Sequence, residues 1–279
     1  SWFLPSNTNM TEATIAEWLA PVRSSGGWNL WHGPWPNSRY PWGSWLPNIR
    51  AGGATPYLYL GGGFDGDPGS PASGPPPSNA TLWGIAAAAL TNLARSSDPQ
   101  LRWLHIGNEP NAKWFATTPG CSCGSSPANC TCQPYADFFT AAALQIKNRV
   151  IDVKVGGPVL CWPLTVGNQK GLPHAYTWYM WVKPLLDTAV PAKVLDIVDF
   201  HSYGQPTNAV IHDMMLAAAY TKSKFGVALP SAVTETSYSL TEGSAMNGSY
   251  YNRSAHFQQR TLPVLRDLLG YAAAPDKAK

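Results

Sequence analysis

The chain has 279 residues, a length that suits one domain or one (β/α) barrel, because barrels of roughly 250 residues fold as single units. Hydrophobic residues make up 44% of the chain and charged residues only 13%, which gives no reason to expect disorder or a polyelectrolyte partner. The formal charge of +3 decides nothing, and the sequence has neither a basic stripe nor an amphipathic anchor that would indicate a nucleic-acid or membrane partner.

Helices and strands are predicted in strict alternation along the chain. The helices cover residues 11–23, 81–95, 135–150, 176–189, 208–225 and 255–269, with a weaker one at 44–50. The strands cover residues 2–4, 28–32, 56–60, 101–107, 153–159, 194–203 and 227–234. Most of the strands are near-continuous apolar runs, which is typical of parallel strands that are covered on both faces.

This alternation predicts the α/β class and one (β/α)8 TIM barrel domain over residues 1–279. The sequence supplies seven strands, so the predicted barrel lacks its eighth strand or is truncated there. An open parallel edge exposes unpaired backbone. We therefore expect that the natural polypeptide continues beyond Lys279, or that a further chain segment or subunit covers the edge.

A glutamate stands at the end of each of two predicted strands. Glu109 follows the fourth strand, and Glu235 ends the seventh within Thr234-Glu235-Thr236. Residues at the C-terminal ends of barrel strands face the active-site mouth, and these two strands lie across the mouth from each other. A double-displacement glycosidase needs two such carboxylates, one as acid and base and one as nucleophile, about 5 to 5.5 Å apart. Taken singly, either glutamate is as well explained by capping a helix or by pairing with a basic residue.

Four cysteines lie in one loop that is rich in Gly, Ser, Pro and Asn. They form two Cys-x-Cys pairs, Cys121 with Cys123 and Cys130 with Cys132. Two pairs of this kind can hold zinc, but histidines are absent nearby, so we predict two disulfides within the loop and no metal. Cys161 is either a buried free thiol or the partner of a segment that this sequence does not contain.

Five acceptor sequences for N-linked glycans predict a secreted or cell-surface glycoprotein. They begin at Asn9, Asn79, Asn129, Asn247 and Asn252. Each lies in a polar, turn-rich stretch where a glycan would be solvated. No apolar run approaches the roughly 18 residues that a membrane span needs, and no signal peptide is evident, so the segment is expected to be a mature or trimmed chain.

The motifs around the two glutamates resemble a known clan of enzymes. Asn108-Glu109-Pro110 after one strand and a second glutamate at the end of a later strand are similar to the retaining (β/α)8 glycoside hydrolases. In that clan the acid/base and the nucleophile end strands four and seven. Gly107-Asn108-Glu109-Pro110-Asn111 and Glu235-Thr236-Ser237 look most like the heparanase and β-glucuronidase group, with β-xylosidase-like and agarase-like members close behind.

The resemblance implies a role for each matching residue. Glu109 resembles the acid/base, Glu235 the nucleophile, and Asn108 the residue that hydrogen-bonds the sugar 2-hydroxyl. His201 and Tyr203 match the sixth-strand positions that contact the nucleophile or the sugar. The aromatic residue that usually floors the sugar site on the eighth strand has no counterpart here.

Other candidate residues have an equally good structural explanation. Trp31 and His32 end the second strand and Trp162 follows the fifth, so each is placed either to line a sugar subsite or to pack in the core. His105 lies inside the fourth strand and is expected to be a satisfied core residue.

The sequence as a whole predicts a secreted retaining β-glycosidase that acts on a polysaccharide or glycoconjugate without a metal or organic cofactor. The alternative is a catalytically inactive barrel of the same type that serves as a carbohydrate-binding or structural component of an extracellular coat. The presence of both glutamates together with Asn108 favours the enzyme, since a binding module needs neither an acid nor a nucleophile.

Overall fold

The computed structural model describes residues 30–34, 46–47, 50–51, 55–60, 76–111, 115, 118–123, 126–160, 177–203 and 207–237. The predicted elements at 2–4, 11–23 and 255–269 lie outside the described residues. So do five residues named above: Asn9, Cys161, Trp162, Asn247 and Asn252.

Among the described residues, six parallel strands form one sheet. They are β1 (Leu30–Pro34), β2 (Thr55–Leu60), β3 (Trp103–Ile106), β6 (Lys154–Leu160), β7 (Ile197–Tyr203) and β8 (Ser231–Ser237), hydrogen-bonded in that order. The short strands β4 (Cys121–Ser122) and β5 (Thr131–Cys132) form a separate antiparallel pair. Parts of β1 and β8 approach within 8 Å between Cα atoms, so the sheet curls toward closure. The α/β class and the parallel curled sheet are confirmed, whereas closure by eight strands stays a prediction.

Along the chain, the helices fall between strands of the large sheet, as the predicted alternation requires. They are α1 (Ala80–Ser97), α2 (Gln133–Arg149), α3 (Lys183–Ala189) and α4 (Thr207–Phe225), and α3 is preceded by a π-helical turn over Trp178–Val182. Apolar residues at helical spacing explain α2, because Phe139, Ala142 and Ile146 are all buried. Within the described residues no helix is both long and apolar enough to cross a membrane.

The two faces of the sheet pack differently. Alternate residues of a strand point to opposite faces, and in β7 Val198 and Phe200 belong to the large core shared with the helices. Ile197, on the other face, packs with Tyr57 and Ala232 in a small separate cluster. This second cluster lies on the inner face of the curl. The interior is therefore filled with side chains, as in small barrels generally.

The inner face also holds polar side chains. His105, Asp199 and His201 are fully buried, and they occupy the strand positions that alternate with residues of the large core. Buried polar groups of this kind are tolerated only when they are hydrogen-bonded. The polar residues of the interior are therefore candidates for a functional site.

Candidate active site

Glu109 is held at the point where the chain leaves the sheet. The Gly107 amide donates to the Leu60 carbonyl at 2.6 Å, and Gly107 has a φ of 83° that favours glycine. The Glu109 amide donates to the Val159 carbonyl of β6 at 2.9 Å. Glu109 itself has a φ of 53°, an uncommon conformation for a non-glycine residue that is found most often at functional sites. These backbone hydrogen bonds, from Gly107 to β2 and from Glu109 to β6, thus fix the position of Glu109.

His201 of β7 contacts the Glu109 carboxyl group. His201 Nδ1 lies 3.1 Å from Glu109 Oε1; the imidazole is fully buried, and 15% of the glutamate side chain is exposed. Either the imidazole N–H donates to a carboxylate, or a protonated carboxyl donates to the neutral ring nitrogen. Both arrangements suit a glutamate that alternates between acid and base. The partial exposure leaves the carboxyl group accessible from outside.

Glu235 is the neighbour of His201 in the adjacent strand. The register of β7 and β8 pairs Phe200 with Val233 and then His201 with Glu235, so one residue of β8 is extra at this point. Bulges of this kind are frequent next to active sites, where they redirect side chains. The Glu235 side chain lies outside what the structure describes. The separation of the two carboxyl groups therefore stays a prediction.

Asn108 precedes Glu109 and is 8% exposed. Its Oδ1 atom has no hydrogen-bond partner within the described part of the chain. A buried amide oxygen without a hydrogen bond destabilises the folded state by about 1–3 kcal/mol. Such atoms in native proteins generally have a specific explanation. An acceptor that receives a hydroxyl group of a ligand is one such explanation.

A second polar cluster lies deeper on the inner face, around Asp199. Tyr57 Oη donates a short hydrogen bond to Asp199 Oδ2, and His105 Nδ1 lies 3.0 Å from the same oxygen. Asp199 Oδ1 accepts from the Val159 amide at 3.1 Å. Burial, followed by the charge and the hydrogen bond of Asp199, raises the pKa of Tyr57 well above its ordinary value, so the phenol remains a donor. His105 is a satisfied core residue, as predicted.

Asp199 is the residue that sequence reasoning missed. A signal exists, because a carboxylate that stands between the apolar residues Val198 and Phe200 of a predicted strand needs a buried partner. The identity of the partners depends on strands β2, β3 and β6, which are far away in sequence.

The other predicted subsite residues are placed only by their backbone. Tyr203 is the last residue of β7, at the carboxyl end of the sheet where the resemblance expects it. Trp31 and His32 lie within β1, which continues to Pro34, so they do not end this strand as predicted. Their side chains are not among those the structure describes, and a sugar-binding role for all three stays a prediction.

The four loop cysteines form two disulfides, as predicted. Cys121 pairs with Cys132 and Cys123 pairs with Cys130, so the inner bridge lies within the outer one. Across the described ranges, no group of three or more His, Cys, Asp or Glu residues is placed to hold a metal ion. Asn79 and Asn129 are exposed, as glycan acceptors must be, and their glycosylation stays a prediction.

Comparisons with known proteins show the fold. No protein-family model and no curated protein matches the sequence. A monomeric beta-xylosidase from Caulobacter crescentus CB15 superposes with a TM-score of 0.53 at 17% identity, over 85% of this chain and 51% of the xylosidase. BuGH86 in complex with neoagarooctaose gives 0.53 at 17% identity, over 77% and 36%. A variant of BuGH86 in the same complex gives 0.54 at 15% identity, over 92% and 40%.

The chain therefore spans about half, or less, of the length of these structures. Their similarity shows that this chain shares their fold, and membership of the clan that the sequence motifs resemble stays a prediction. The similarity does not extend to the heparanase and β-glucuronidase group, which stays a prediction from the motifs.

Proposed function

We propose that this protein is a retaining β-glycosidase that hydrolyses a polysaccharide or glycoconjugate by double displacement. One observation carries the proposal. His201 is hydrogen-bonded to Glu109 and is paired by strand register with Glu235. Two glutamates, one after β3 and one in β8, thus have one buried residue as a common neighbour, and Asn108 beside Glu109 has a buried acceptor that no described residue partners.

The proposed reaction assigns one task to each glutamate. Glu109 protonates the departing glycosidic oxygen while Glu235 attacks the anomeric carbon, which breaks the glycosidic bond and forms a covalent glycosyl-enzyme. Glu109, now ionised, then removes a proton from water as that water attacks the same carbon and releases Glu235. Asn108 Oδ1 accepts a hydrogen bond from a sugar hydroxyl. His201 holds the Glu109 carboxyl group in either protonation state.

The proposal also covers the sugar subsites, the location of the protein and the completion of the barrel. Trp31, His32, Tyr203 and Trp162 are proposed to line sugar subsites around the mouth. The fold neighbours named above are a beta-xylosidase and a protein bound to neoagarooctaose, and both names concern carbohydrates. The disulfides suit an oxidising compartment and so support a secreted or cell-surface protein. Completion of the barrel by a further chain segment or subunit is part of the same proposal.

Covalent labelling tests the role of Glu235. An activated 2-fluoro glycoside slows both chemical steps, while its good leaving group preserves the first, so the intermediate accumulates. We expect peptide mass spectrometry to find the sugar on Glu235 after incubation with the matching member of a panel of 2-fluoro β-xylosides, glucosides, galactosides and glucuronides. Glu235→Gln is the matched control and should remain unlabelled. A label on a different residue would contradict the assignment.

Leaving-group dependence tests the role of Glu109. Glu109→Gln should lower hydrolysis of phenyl β-glycosides by about 10²- to 10⁴-fold, because the departing phenolate needs a proton. Hydrolysis of the matching dinitrophenyl glycoside should fall much less, since its leaving group departs without protonation. One combined result would refute the enzyme and favour the non-catalytic coat protein. In that result the wild-type chain binds glycans but releases no sugar from any β-linked substrate, and both Gln variants bind equally well.

A further inference from the structure

We propose that Asp199 is a positioning residue for Glu109, acting through the backbone of Val159. The inference rests on the proposed function, in which Glu109 is the acid/base. It adds a residue that neither the sequence motifs nor the fold comparisons assign to the site.

The link between the two carboxylates is a short series of hydrogen bonds. Asp199 Oδ1 accepts from the Val159 amide at 3.1 Å, and the Val159 carbonyl accepts from the Glu109 amide at 2.9 Å. One residue of β6 therefore lies between the buried aspartate and the backbone of the acid/base. A displacement of Val159 would be passed directly to Glu109.

Val159 needs this support because it lies outside the regular strand ladder. The pairing of β6 with β7 runs from Pro158 with Asp199 to Leu160 with Phe200, so Val159 is the extra residue of a bulge. Its φ of 51° is an unusual conformation for a β-branched residue. Conformations of this kind cost about 1–3 kcal/mol and persist only where the surroundings fix them. The Asp199 carboxylate supplies such a contact to the Val159 amide.

Asp199 is itself held rigidly by two other strands. Tyr57 Oη from β2 donates to Asp199 Oδ2, and His105 Nδ1 from β3 lies 3.0 Å from that oxygen. All three side chains are fully buried. A buried carboxylate with several hydrogen bonds strongly resists displacement, because movement would leave it unpaired in a medium of low dielectric constant. Asp199 thus connects strands β2 and β3 to Val159, the bulge residue that accepts a hydrogen bond from the Glu109 amide.

Misplacement of a catalytic group by about 1 Å can cost on the order of 10²-fold in rate. The positioning role therefore predicts a loss that falls mainly on substrates whose leaving group Glu109 must protonate. A purely structural role would instead reduce the amount of folded protein and lower all reactions by the same factor.

The test uses three variants and one matched control. Tyr57→Phe removes one donor to Asp199, Asp199→Asn retains an acceptor for Val159, and Asp199→Ala removes it. The control is Tyr220→Phe, because Tyr220 Oη also donates to an aspartate, Asp187 Oδ1, at 2.6 Å, but on helix α4 away from the inner face. If Asp199→Ala fails to fold, Tyr57→Phe still carries the test.

Two measurements are made on each variant. Amide hydrogen exchange should show faster exchange at Val159 and Glu109, with protection of Leu104 and Ile106 in β3 unchanged. The ratio of kcat/KM for phenyl and dinitrophenyl glycosides should fall by roughly 10- to 100-fold in Asp199→Ala, and by less in Asp199→Asn. Tyr220→Phe should change neither quantity.

The proposal is overturned if exchange at Val159 and Glu109 is unchanged, if protection is lost evenly across β3, or if both substrates lose the same factor. Failure of the proposed function has a different signature. A wild-type chain that hydrolyses no glycoside refutes the enzyme, while the exchange data still decide whether Asp199 orders the backbone at Glu109.

Discussion

Gly156 of β6 is the position at which one added methyl group would perturb the inner face most directly. A Cβ atom there would overlap the Tyr57 hydroxyl and would lie 2.5 Å from Asp199 Oδ2 and 2.9 Å from Ile197 Cγ2. Real Cβ atoms essentially never approach other heavy atoms closer than 3.0 Å, so the neighbours of Gly156 must move in Gly156→Ala. The aspartate is fixed by other bonds, and Tyr57 is therefore expected to shift.

The magnitude follows from two separate costs. Overpacking of a filled core costs about 1–3 kcal/mol. The displaced hydroxyl also loses its hydrogen bond to a charged carboxylate, which adds about 1.5–3 kcal/mol. The free energy of unfolding of Gly156→Ala should thus fall by roughly 2.5–6 kcal/mol, a large part of the 5–15 kcal/mol of a typical domain.

A double variant tests whether both costs arise at the Tyr57 hydroxyl. Tyr57→Phe alone already loses the hydrogen bond to Asp199, and it also removes the hydroxyl group that the added Cβ atom would overlap. The double variant should therefore be more stable than the sum of the single effects implies, by at least about 1.5–3 kcal/mol. Urea denaturation followed by tryptophan fluorescence and far-UV circular dichroism measures all three.

Gly226→Ala provides the matched control. Gly226 has a φ of 77°, and no atom of the described residues lies within 4 Å of where a Cβ would be, so alanine there introduces backbone strain without overlap. Its cost of about 1–2 kcal/mol should add to that of Tyr57→Phe without coupling. The packing argument is refuted if Gly156→Ala costs no more than Gly226→Ala, or if its effect is also additive with that of Tyr57→Phe.

Three further predictions concern the helices and the disulfide loop. Burial raises the pKa of Asp187, but hydrogen bonds from Lys183, Lys224 and Tyr220 outweigh it and lower that pKa. The ionised group therefore contributes stability above the unfolded pKa of about 4 and loses it as the pH falls through the folded pKa. Asp187→Asn should cost about 0.5–1 kcal/mol at pH 7 in urea denaturation and progressively less below about pH 4; a penalty that grows in acid would contradict this. The Asn79 side chain caps α1 by accepting from the Leu82 amide at 3.0 Å, so Asn79→Ala should cost about 1 kcal/mol in the same assay and Asn79→Asp almost nothing. Equal losses in both would exclude the cap. A non-reduced peptide digest should contain only the pairs Cys121–Cys132 and Cys123–Cys130, and any crossed pairing would refute the nested arrangement.

The sequence predicted those parts of the fold that depend on local patterns. Apolar spacing and Pro134 mark helix α2 clearly in the sequence. Its observed start at Gln133 is only two residues before the predicted start. Strand β3 lies within its predicted range and delivers Glu109 as expected. The π-helical turn at Trp178–Val182 was not predicted, since its apolar spacing is close to that of an ordinary helix.

The parts of the site that the sequence could not predict depend on long-range contacts. Bulges at Val159 and before Glu235 change the strand register by one residue, and an apolar run carries no sign of such an insertion. His201 is hydrogen-bonded to Glu109, a contact that the sequence did not predict, and its predicted contact with the nucleophile or the sugar stays a prediction. The Asp199 cluster likewise joins residues that are more than ninety positions apart, as in the pairing of His105 with Asp199.

The polar interior of the sheet sets limits on how this protein can be engineered. Replacement of buried ion pairs by apolar residues of similar volume is often neutral or stabilising by about 1–4 kcal/mol. A screen for heat resistance alone would therefore be expected to favour apolar replacements around Asp199 and to lose the proposed activity in the process, a common trade-off between stability and function. Leu82 and Ile151, which are 62% and 78% exposed on the outer surface, are safer targets for substitution. In this fold, stabilising substitutions belong on the outer helices and their turns, whereas the inner face of the sheet is reserved for the proposed function.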